Sequence, residues 1–214
     1  MPGVGAVVVA AGRGDRFGAP KQFVDVGGQR LVDRAVCTCR AVSDEVVVVL
    51  PPGTAWDGVP VDAAVVGGAS RSESVRAGLA ALSDDIDVVV VHDAARPLAS
   101  PALFAAVIDA VRNGADAAVP GVPVADTLKR VDGTRVVETV DRAGLVAVQT
   151  PQAFRAASLR AAHAAGGTAT DDAALVEAAG GRVIVVPGEA ANFKVTEPGD
   201  LDRATALLAS EVTP

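Results

Sequence analysis

The sequence contains few aromatic residues, cysteines and histidines. Aromatic residues make up 3% of the 214 positions, and there are two cysteines and two histidines. Ala and Val supply most of the hydrophobic half of the sequence, so the core is predicted to consist of β-branched strands covered by Ala-rich helices. No Ser-His-Asp or Cys-His arrangement occurs at a recognisable spacing, and a covalent protein nucleophile is therefore not expected.

The two cysteines, Cys37 and Cys39, lie in an apparent helix, LVDRAVCTCRAV. Side chains at positions i and i+2 point to different faces of a helix, which argues against a shared metal ion or a disulfide bond. We interpret both as small, buried or partly buried residues. This use of cysteine fits a reducing compartment, and the N-terminal residues do not resemble a secretory leader. A cytoplasmic location is expected.

Long apolar runs and an excess of positive charge are also lacking. The longest unbroken apolar stretches span about eight residues, whereas a membrane helix needs about 20. The formal net charge of −7 argues against a surface that binds nucleic acid, because such binding depends on neutralising many phosphates. No membrane or nucleic-acid partner is expected, and any phosphate site must be local.

Apolar runs alternate with helical patterns along most of the chain. The runs have no period-two alternation, which is typical of strands buried on both faces of a parallel sheet. We predict one α/β domain over residues 1–214, with a doubly wound, largely parallel sheet. The predicted strands are Val4–Ala11, Val46–Leu50, Ala63–Val66, Val88–Val91, Ala115–Val119 and Val183–Val186.

Start signals mark several of the predicted helices. Ser70 and Glu73 have the spacing of a capping box, and Ser100 is followed by a proline at the first helical position. Thr170 precedes DDAALVEAA, whose carboxylates suit the first turn of a helix. A closing helix is predicted over Glu197–Ser210.

The segment from Gly121 to Thr150 breaks the alternation. Two polar, β-prone stretches, VADTLKRV and TRVVETV, are joined by Asp132-Gly133, which is a strong hairpin signal. One interpretation is an edge hairpin that lies over the sheet. The other is an arm that leaves the body and pairs with a second subunit, which would also cover exposed strand edges.

The loop after the first strand is the most informative stretch. Gly12 and Gly14 allow close approach of a phosphate to the backbone at the carboxyl edge of the sheet, and Arg16 and Lys21 follow closely. The Gly-Lys-Ser/Thr end of a Walker loop is not in the sequence. Phe17 stands where a dinucleotide fingerprint needs its third glycine, so NAD and ATPase sites are disfavoured.

AAGRGDRFGAPKQF resembles the signature loop of the sugar-phosphate nucleotidyltransferases. Further blocks along nearly the whole chain are similar, in order and approximate spacing, to the 2-C-methyl-D-erythritol 4-phosphate cytidylyltransferase family. These blocks are GGASRSESVRAGL, VHDAARP, PVADTLKRV, TVDRAGL, QTPQAF, TDDAALVE and NFKVTEPGDL. Two departures are Ala69, where a polar residue is often found, and a short gap between Arg16 and Lys21.

The resemblance implies a reaction of CTP with a small polyol phosphate that releases pyrophosphate, with Mg²⁺ held mainly by triphosphate oxygens. It implies catalytic roles for Arg16, Lys21, Arg142 and Lys194. It places the acceptor's methylerythritol group at Asp93, Arg96, Thr127 and Thr170. It places the nucleotide at Ala10, Ala11, Gly12, Gly14, Gly68 and Ser74. It also implies a homodimer through the 121–150 arm, with Arg142 reaching the partner's site.

Several alternatives remain open from the sequence. The acceptor could instead be ribitol 5-phosphate, or the chain could be a catalytically silent nucleotide-binding subunit. Asp93 and Arg96 could form a structural ion pair. His92 is interpreted as a packed, hydrogen-bonded residue, and His163, among alanines, as a surface residue. Asp171 and Asp172 resemble a metal-binding pair, but we prefer a role at the start of a helix.

Overall fold

The computed structural model describes residues 3–12, 14, 17–18, 20–167 and 169–211. Within these ranges the chain forms strands, α-helices and a short 3-10 helix at Lys21–Phe23. The strands are β1 Gly3–Val9, β2 Asp25–Val26, β3 Gln29–Arg30, β4 Glu45–Leu50, β5 Ala63–Val66, β6 Ile86–Asp93, β7 Ala117–Pro123, β8 Leu128–Asp132, β9 Arg135–Val140, β10 Val146–Val148, β11 Gln152–Arg155 and β12 Val183–Pro187. The helices are α1 Leu31–Val42, α2 Arg71–Ala81, α3 Pro101–Arg112, α4 Ala156–Ala164, α5 Asp172–Ala178 and α6 Pro198–Glu211.

The central sheet is mostly parallel, as predicted. Its order is β10-β7-β11-β6-β1-β4-β5, and β12 also pairs with β7. β1 runs parallel to β4 and β6, β4 runs parallel to β5, and β7 runs parallel to β12. β10 and β11 are antiparallel to their neighbours. The strand predicted over Ala115–Val119 begins at Ala117 and extends further than expected, to Pro123, and β11 was not predicted.

Helices cover both faces of the sheet. Alternate residues of β1, β4 and β6 face opposite sides, so each strand contributes to two apolar layers. One layer packs against α1 and α3 around Phe104, and the other packs against α2, α4 and α5 around Leu159. Small side chains let these layers approach closely. A Cβ on Gly78 of α2 would collide with Val7 Cγ1 and lie 3.0 Å from Val49 Cγ2, which explains the glycine in that helix.

Two predictions of burial were wrong. β5 alternates between half-buried and exposed residues, with Val66 56% exposed, because it is an edge strand and only one of its faces meets α2. Cys37 is exposed whereas Cys39 is buried, because the two side chains lie on different faces of α1. Burial raises the pKa of the Cys39 thiol well above its usual range.

The predicted helix starts at Ser70 and Ser100 are confirmed. Ser70 and Glu73 form a reciprocal capping box at α2, and Ser100 Oγ accepts a hydrogen bond from Leu103 N at 3.1 Å at α3. Glu189 reaches both the backbone N–H and the hydroxyl of Ser100. At α5 the capping residue is Asp171 rather than Thr170, since the Asp171 carboxylate accepts from Ala174 N at 3.0 Å.

The predicted hairpin is present as a separate two-stranded sheet, β8–β9. Asp132 pairs with Arg135, so the two-residue loop is Gly133-Thr134, one position later than predicted. The ends of the 121–150 segment belong to the main sheet through β7 and β10. We call the part between them, residues 124–145, the arm. Val131, Val136 and Val137 of the arm are 54–58% exposed, which favours a projecting arm over a hairpin packed on the sheet.

Among the residues that the structure describes, no helix is both long enough and apolar enough to cross a bilayer.

Candidate active site

A cavity of about 610 Å³ opens at the carboxyl ends of β1, β5 and β6. Parallel strands bring the loops that follow them to one edge of a sheet, which is where open α/β folds bind ligands. The lining residues are Val9, Ala10, Ala11, Gly12, Gly14, Lys21, Gln22, Gly68, Ala69, Ser70, Arg71, Ser74, Asp93, Ala94, Ala95 and Lys194. The cavity therefore collects all six of the predicted nucleotide-binding residues and two of the predicted catalytic ones, Lys21 and Lys194.

The loop after β1 forms one wall of this cavity. Ala10 N donates to Val49 O at 2.8 Å, which continues the sheet pairing one residue past the strand. Gly14 has a φ of 71°, a left-handed conformation that favours glycine. Buried Gln22 donates from Nε2 to Gly12 O at 3.0 Å and so ties the loop to the 3-10 helix that carries Lys21. Arg16, the other predicted cation, lies outside the described residues.

The first turn of α2 forms the opposite wall. Glu73 Oε2 accepts hydrogen bonds from Ala69 N at 2.6 Å and Ser70 N at 3.3 Å, which fixes the backbone beside Gly68. A Cβ on Gly68 would collide with Glu73, so the capping box leaves room only for glycine at this position. Ser74 is buried, and its hydroxyl donates to Ser70 O at 2.9 Å.

An acidic side chain with two basic partners lies on the cavity floor. Lys194 Nζ donates to Asp93 Oδ2 at 2.6 Å, and Arg71 Nε donates to Asp93 Oδ1 at 3.3 Å. Burial alone would raise the pKa of Asp93, but the charges of Arg71 and Lys194 hold it well below its usual range. Asp93 is therefore ionised at neutral pH. Its ion-pair partners are not the Arg96 that one alternative proposed.

Arg96 instead holds the segment that carries Lys194. Its Nη1 donates to Asn192 O at 2.7 Å, and Val195 N donates to Ala95 O at 2.8 Å. Asn192 is fully buried, and its amide donates to Thr150 O at 2.9 Å. These bonds place Lys194 beside the end of β6. Arg96 is not among the residues that line the cavity.

His92 is a packed, hydrogen-bonded residue, as predicted. It is fully buried, its Nε2 lies 3.1 Å from Arg96 O, and its Nδ1 lies 3.2 Å from Thr150 Oγ1. A carbonyl can only accept, so Nε2 carries the proton and Nδ1 accepts from the threonine hydroxyl. Thr150 Oγ1 in turn accepts from Asp93 N at 3.0 Å. Burial lowers the pKa of His92 to about 4, so the ring is neutral at physiological pH.

Besides Arg96, three predicted site residues lie away from the cavity lining. Arg142 and Thr127 are exposed on the arm, where Arg142 Nη1 donates to Val124 O at 3.2 Å. Thr170 is exposed before the first turn of α5. Within one subunit the structure does not bring any of them to the cavity lining. Arg142 and Thr127 would have to be exposed on the arm, as they are, in order to contact the site of a second subunit.

The prediction that His163 lies on the surface was wrong. It is 3% exposed, and its Nε2 lies 3.0 Å from Asp172 Oδ1. The other oxygen of Asp172 accepts from Arg71 Nη1 at 2.6 Å.

Three residues at the cavity were not singled out from the sequence: Arg71, Gln22 and Thr150. Each lies inside a motif block, but only the folded chain shows that they support or line the cavity.

The described residues contain no cluster of three or more His, Cys, Asp or Glu side chains arranged to hold a metal ion. Asp93 is the one carboxylate among the described residues that line the cavity. Asp171 and Asp172 both have protein partners, because Asp171 Oδ2 also accepts from Gln152 Nε2 at 3.0 Å.

Comparison with known proteins decides the family. The sequence profile of the 2-C-methyl-D-erythritol 4-phosphate cytidylyltransferases matches residues 4–210. This chain belongs to the 2-C-methyl-D-erythritol 4-phosphate cytidylyltransferase family. The family, the α/β nucleotidyltransferase fold and the cytidylyltransferase activity predicted from the sequence are thereby confirmed.

Individual relatives of the cytidylyltransferase family agree with this assignment. The 2-C-methyl-D-erythritol 4-phosphate cytidylyltransferase of Frankia casuarinae is 50% identical, with 97% of this chain and 82% of that protein covered. The bifunctional enzyme IspD/IspF of Clavibacter michiganensis is 51% identical over 98% of this chain, which spans 55% of that longer protein. The crystal structure of the Thermus thermophilus cytidylyltransferase superposes with a TM-score of 0.84 at 41% identity, covering 95% of this chain and 98% of that one.

These names do not favour the alternatives of a ribitol-phosphate enzyme or a silent subunit. Loss of Arg16 or Lys21 would have favoured a silent subunit, but both residues are present in the sequence, and Lys21 lines the cavity.

Proposed function

We propose that this chain transfers the cytidylyl group of CTP to 2-C-methyl-D-erythritol 4-phosphate, giving 4-diphosphocytidyl-2-C-methyl-D-erythritol and pyrophosphate for isoprenoid precursor synthesis. The observation that carries the proposal is the arrangement of the cavity. A glycine loop followed by Lys21 forms one wall, and Lys194, paired with Asp93, lies on the floor. Two phosphorylated substrates can therefore be bound between two separate lysines.

The chemistry requires positioning rather than a protein nucleophile. An acceptor phosphate monoester has a second pKa of about 6, so its attacking oxygen is already ionised at neutral pH. That oxygen forms a bond to the α-phosphorus of CTP, and the bond from the α-phosphorus to the bridging oxygen breaks. The electron pair leaves with pyrophosphate. Neutral, buried His92 takes no part in proton transfer, which agrees with a reaction that needs no general base.

The nucleotide is assigned to the two walls. Ala10, Ala11, Gly68 and Ser74 would surround the cytidine, and the backbone at Gly12 and Gly14 would face the triphosphate. Lys21 would stabilise the charge that develops on the α-phosphoryl group and on the leaving pyrophosphate, and Arg16 is assigned the same role. Charge that is held in place before the reaction stabilises a transition state without reorganisation.

The acceptor is assigned to the floor. Lys194 would bind the attacking phosphate, and Asp93 would accept hydrogen bonds from the polyol. Arg96 and Thr170 are assigned to the same region by family resemblance. Arg142 and Thr127 would complete the site from the arm of a second subunit, which makes the active form a homodimer. The whole chain would act as one nucleotidyltransferase domain in the cytoplasm.

Mg²⁺ is the proposed cofactor. The cavity lining offers Asp93 as a carboxylate, already paired with Arg71 and Lys194, so triphosphate oxygens would hold the ion. When bound, the ion supplies positive charge that offsets the charge of the triphosphate.

The test is pyrophosphate release from the four nucleoside triphosphates crossed with a panel of polyol phosphates. CTP with methylerythritol phosphate is expected to give the highest kcat/KM, and chelation of divalent ions should abolish turnover. A preference for ribitol 5-phosphate would transfer the acceptor assignment to that enzyme class. Turnover that survives complete chelation would remove Mg²⁺ from the proposal.

A further inference from the structure

A chain of buried charged and polar residues extends from the cavity floor into the layer formed by α4 and α5. It consists of Asp93, Arg71, Asp172 and His163, linked in that order by contacts of 3.3, 2.6 and 3.0 Å. Asp172 and His163 are 0% and 3% exposed, so these contacts are made away from water. Only Asp93 and Arg71 at one end of this chain of residues line the cavity.

Arg71 is the central member. Its planar guanidinium offers donors in a fixed fork, so one side chain can contact carboxylates on two elements at once. Burial opposes its charge, but Asp93 and Asp172 raise the pKa of Arg71, and it remains protonated. Asp172 accepts from Nη1 of the guanidinium and is itself in contact with His163, while Nε of Arg71 donates to Asp93.

This arrangement is not explained by stability alone. Arg71 Nη2 is buried and contacts no acceptor among the described residues. A buried donor without a partner lowers the stability of the folded protein. Buried ion pairs are also often no more stable than apolar residues of the same volume. An active site that needs the Asp93 carboxylate in one orientation explains why the buried Arg71–Asp172 ion pair is present.

We propose that Arg71, held by Asp172 and His163, is a positioning residue for the acceptor half of the active site. It fixes one oxygen of Asp93, so that the other oxygen holds Lys194 at the place where the acceptor phosphate binds. Without Arg71 in place, Asp93 turns towards Lys194 and neutralises it more completely. This inference rests on the proposed function, because it assigns the acceptor to Lys194.

The main test is Asp172→Asn. Asparagine has the same shape and keeps an oxygen for His163, but it removes the charge that holds Arg71. We expect kcat/KM for the polyol phosphate to fall about 10- to 100-fold, the scale of a misplaced catalytic group. The Kd for CTP, measured by calorimetry without acceptor, should stay within about threefold, because the hydrogen bonds of Asp172 go to Arg71 and His163 and not to the residues assigned to the cytidine. Arg71→Lys should reproduce the defect, since one ammonium cannot bridge both carboxylates.

The matched control is Arg160→Gln. Arg160 is also on α4, and it donates to the carbonyl oxygens of Leu79, Leu82 and Ser83 at the other end of α2. Its loss should lower the unfolding midpoint without changing acceptor kcat/KM. If folded Asp172→Asn has wild-type acceptor kinetics, or if it loses affinity for CTP and acceptor equally, the positioning role is wrong.

A crystal structure of Asp172→Asn separates this inference from the proposed function. We expect Arg71 to leave its contact with Asp93 and the Asp93–Lys194 pair to change orientation. An unchanged arrangement of Arg71, Asp93 and Lys194 overturns the inference, whatever the enzyme's substrates are. Failure of the wild-type protein to use CTP with methylerythritol phosphate would instead overturn the proposed function.

Discussion

Lys194 and Asp93 are 101 residues apart in the sequence and meet at 2.6 Å on the floor of the cavity. One follows β12 and the other ends β6, and the hydrogen bonds of Arg96 and Asn192 bring the two segments together. The lysine is 38% exposed, whereas its partner carboxylate is 11% exposed. The ammonium group therefore has access to the cavity while its position is set from below by the buried carboxylate.

Replacing Lys21 with alanine should lower kcat about 100- to 1,000-fold, the usual effect of removing one preorganised charge contact at a transition state. The unfolding midpoint should stay close to that of the wild type. Arg16→Ala is expected to behave in the same way. Arg112→Ala, in the last turn of α3, is the control and should leave turnover unchanged. Near-normal turnover in a folded Lys21→Ala protein would remove this lysine from the catalytic set.

Gly68→Ala should weaken CTP binding and destabilise the protein. The added methyl group would meet Glu73, whose Oε2 lies 2.7 Å from the new Cβ position, so the capping box must shift. Overpacking of this kind is destabilising by about 1–3 kcal/mol. Gly199→Ala is the matched control, because a Cβ there meets nothing within 4 Å. Calorimetry with CTP and urea unfolding measure the two effects, and equal behaviour of the two variants would contradict the prediction.

Stability should depend on pH through His92. Its pKa is about 4 in the folded protein and 6.5 ordinarily, so the unfolded chain takes up the proton first as the pH falls. The contribution of neutral His92 to the free energy of unfolding is complete above pH 6.5 and is lost as the pH falls from 6.5 to 4. It amounts to about 3 kcal/mol at most. The difference in unfolding free energy between wild type and His92→Gln should therefore shrink over this range. A constant difference would mean that His92 does not titrate as described.

Mixing two inactive proteins tests whether the arm reaches a second subunit. Lys21→Ala and Arg142→Ala homodimers should each be nearly inactive. In a mixed dimer one site would collect both lesions and the other neither. Random reassociation makes about half of the dimers mixed, so activity should recover to roughly a quarter of wild type. If mass measurements show subunit exchange and activity does not recover, Arg142 does not act across the dimer.

The sequence predicted the elements that depend on local patterns. The β-branched runs became the central strands, and Ser70 with Glu73 capped α2 as expected, because apolar periodicity and capping are set by neighbouring residues. His163 was misjudged because the alanines around it give α4 little contrast between its faces. Its burial depends on Asp172 of the following helix.

The positions of charged partners could not be predicted in the same way. Arg71 and Asp172 are 101 residues apart, and no spacing rule joins an arginine at the start of one helix to an aspartate at the start of another. Motif resemblance identified the blocks that contain both residues. The pairing itself follows from the packing of α2, α4 and α5 on one face of the sheet.

The exposed valines of the arm have a consequence for the protein at low concentration. A two-stranded hairpin without a further apolar surface is only marginally stable in water. In a lone subunit, the arm should therefore open far more often than the central sheet and be the first segment that a protease cuts. Dilution would then expose cleavage sites between residues 124 and 145 while the rest of the chain resists digestion. If a second subunit covers these valines, its concentration sets the lifetime of the intact polypeptide.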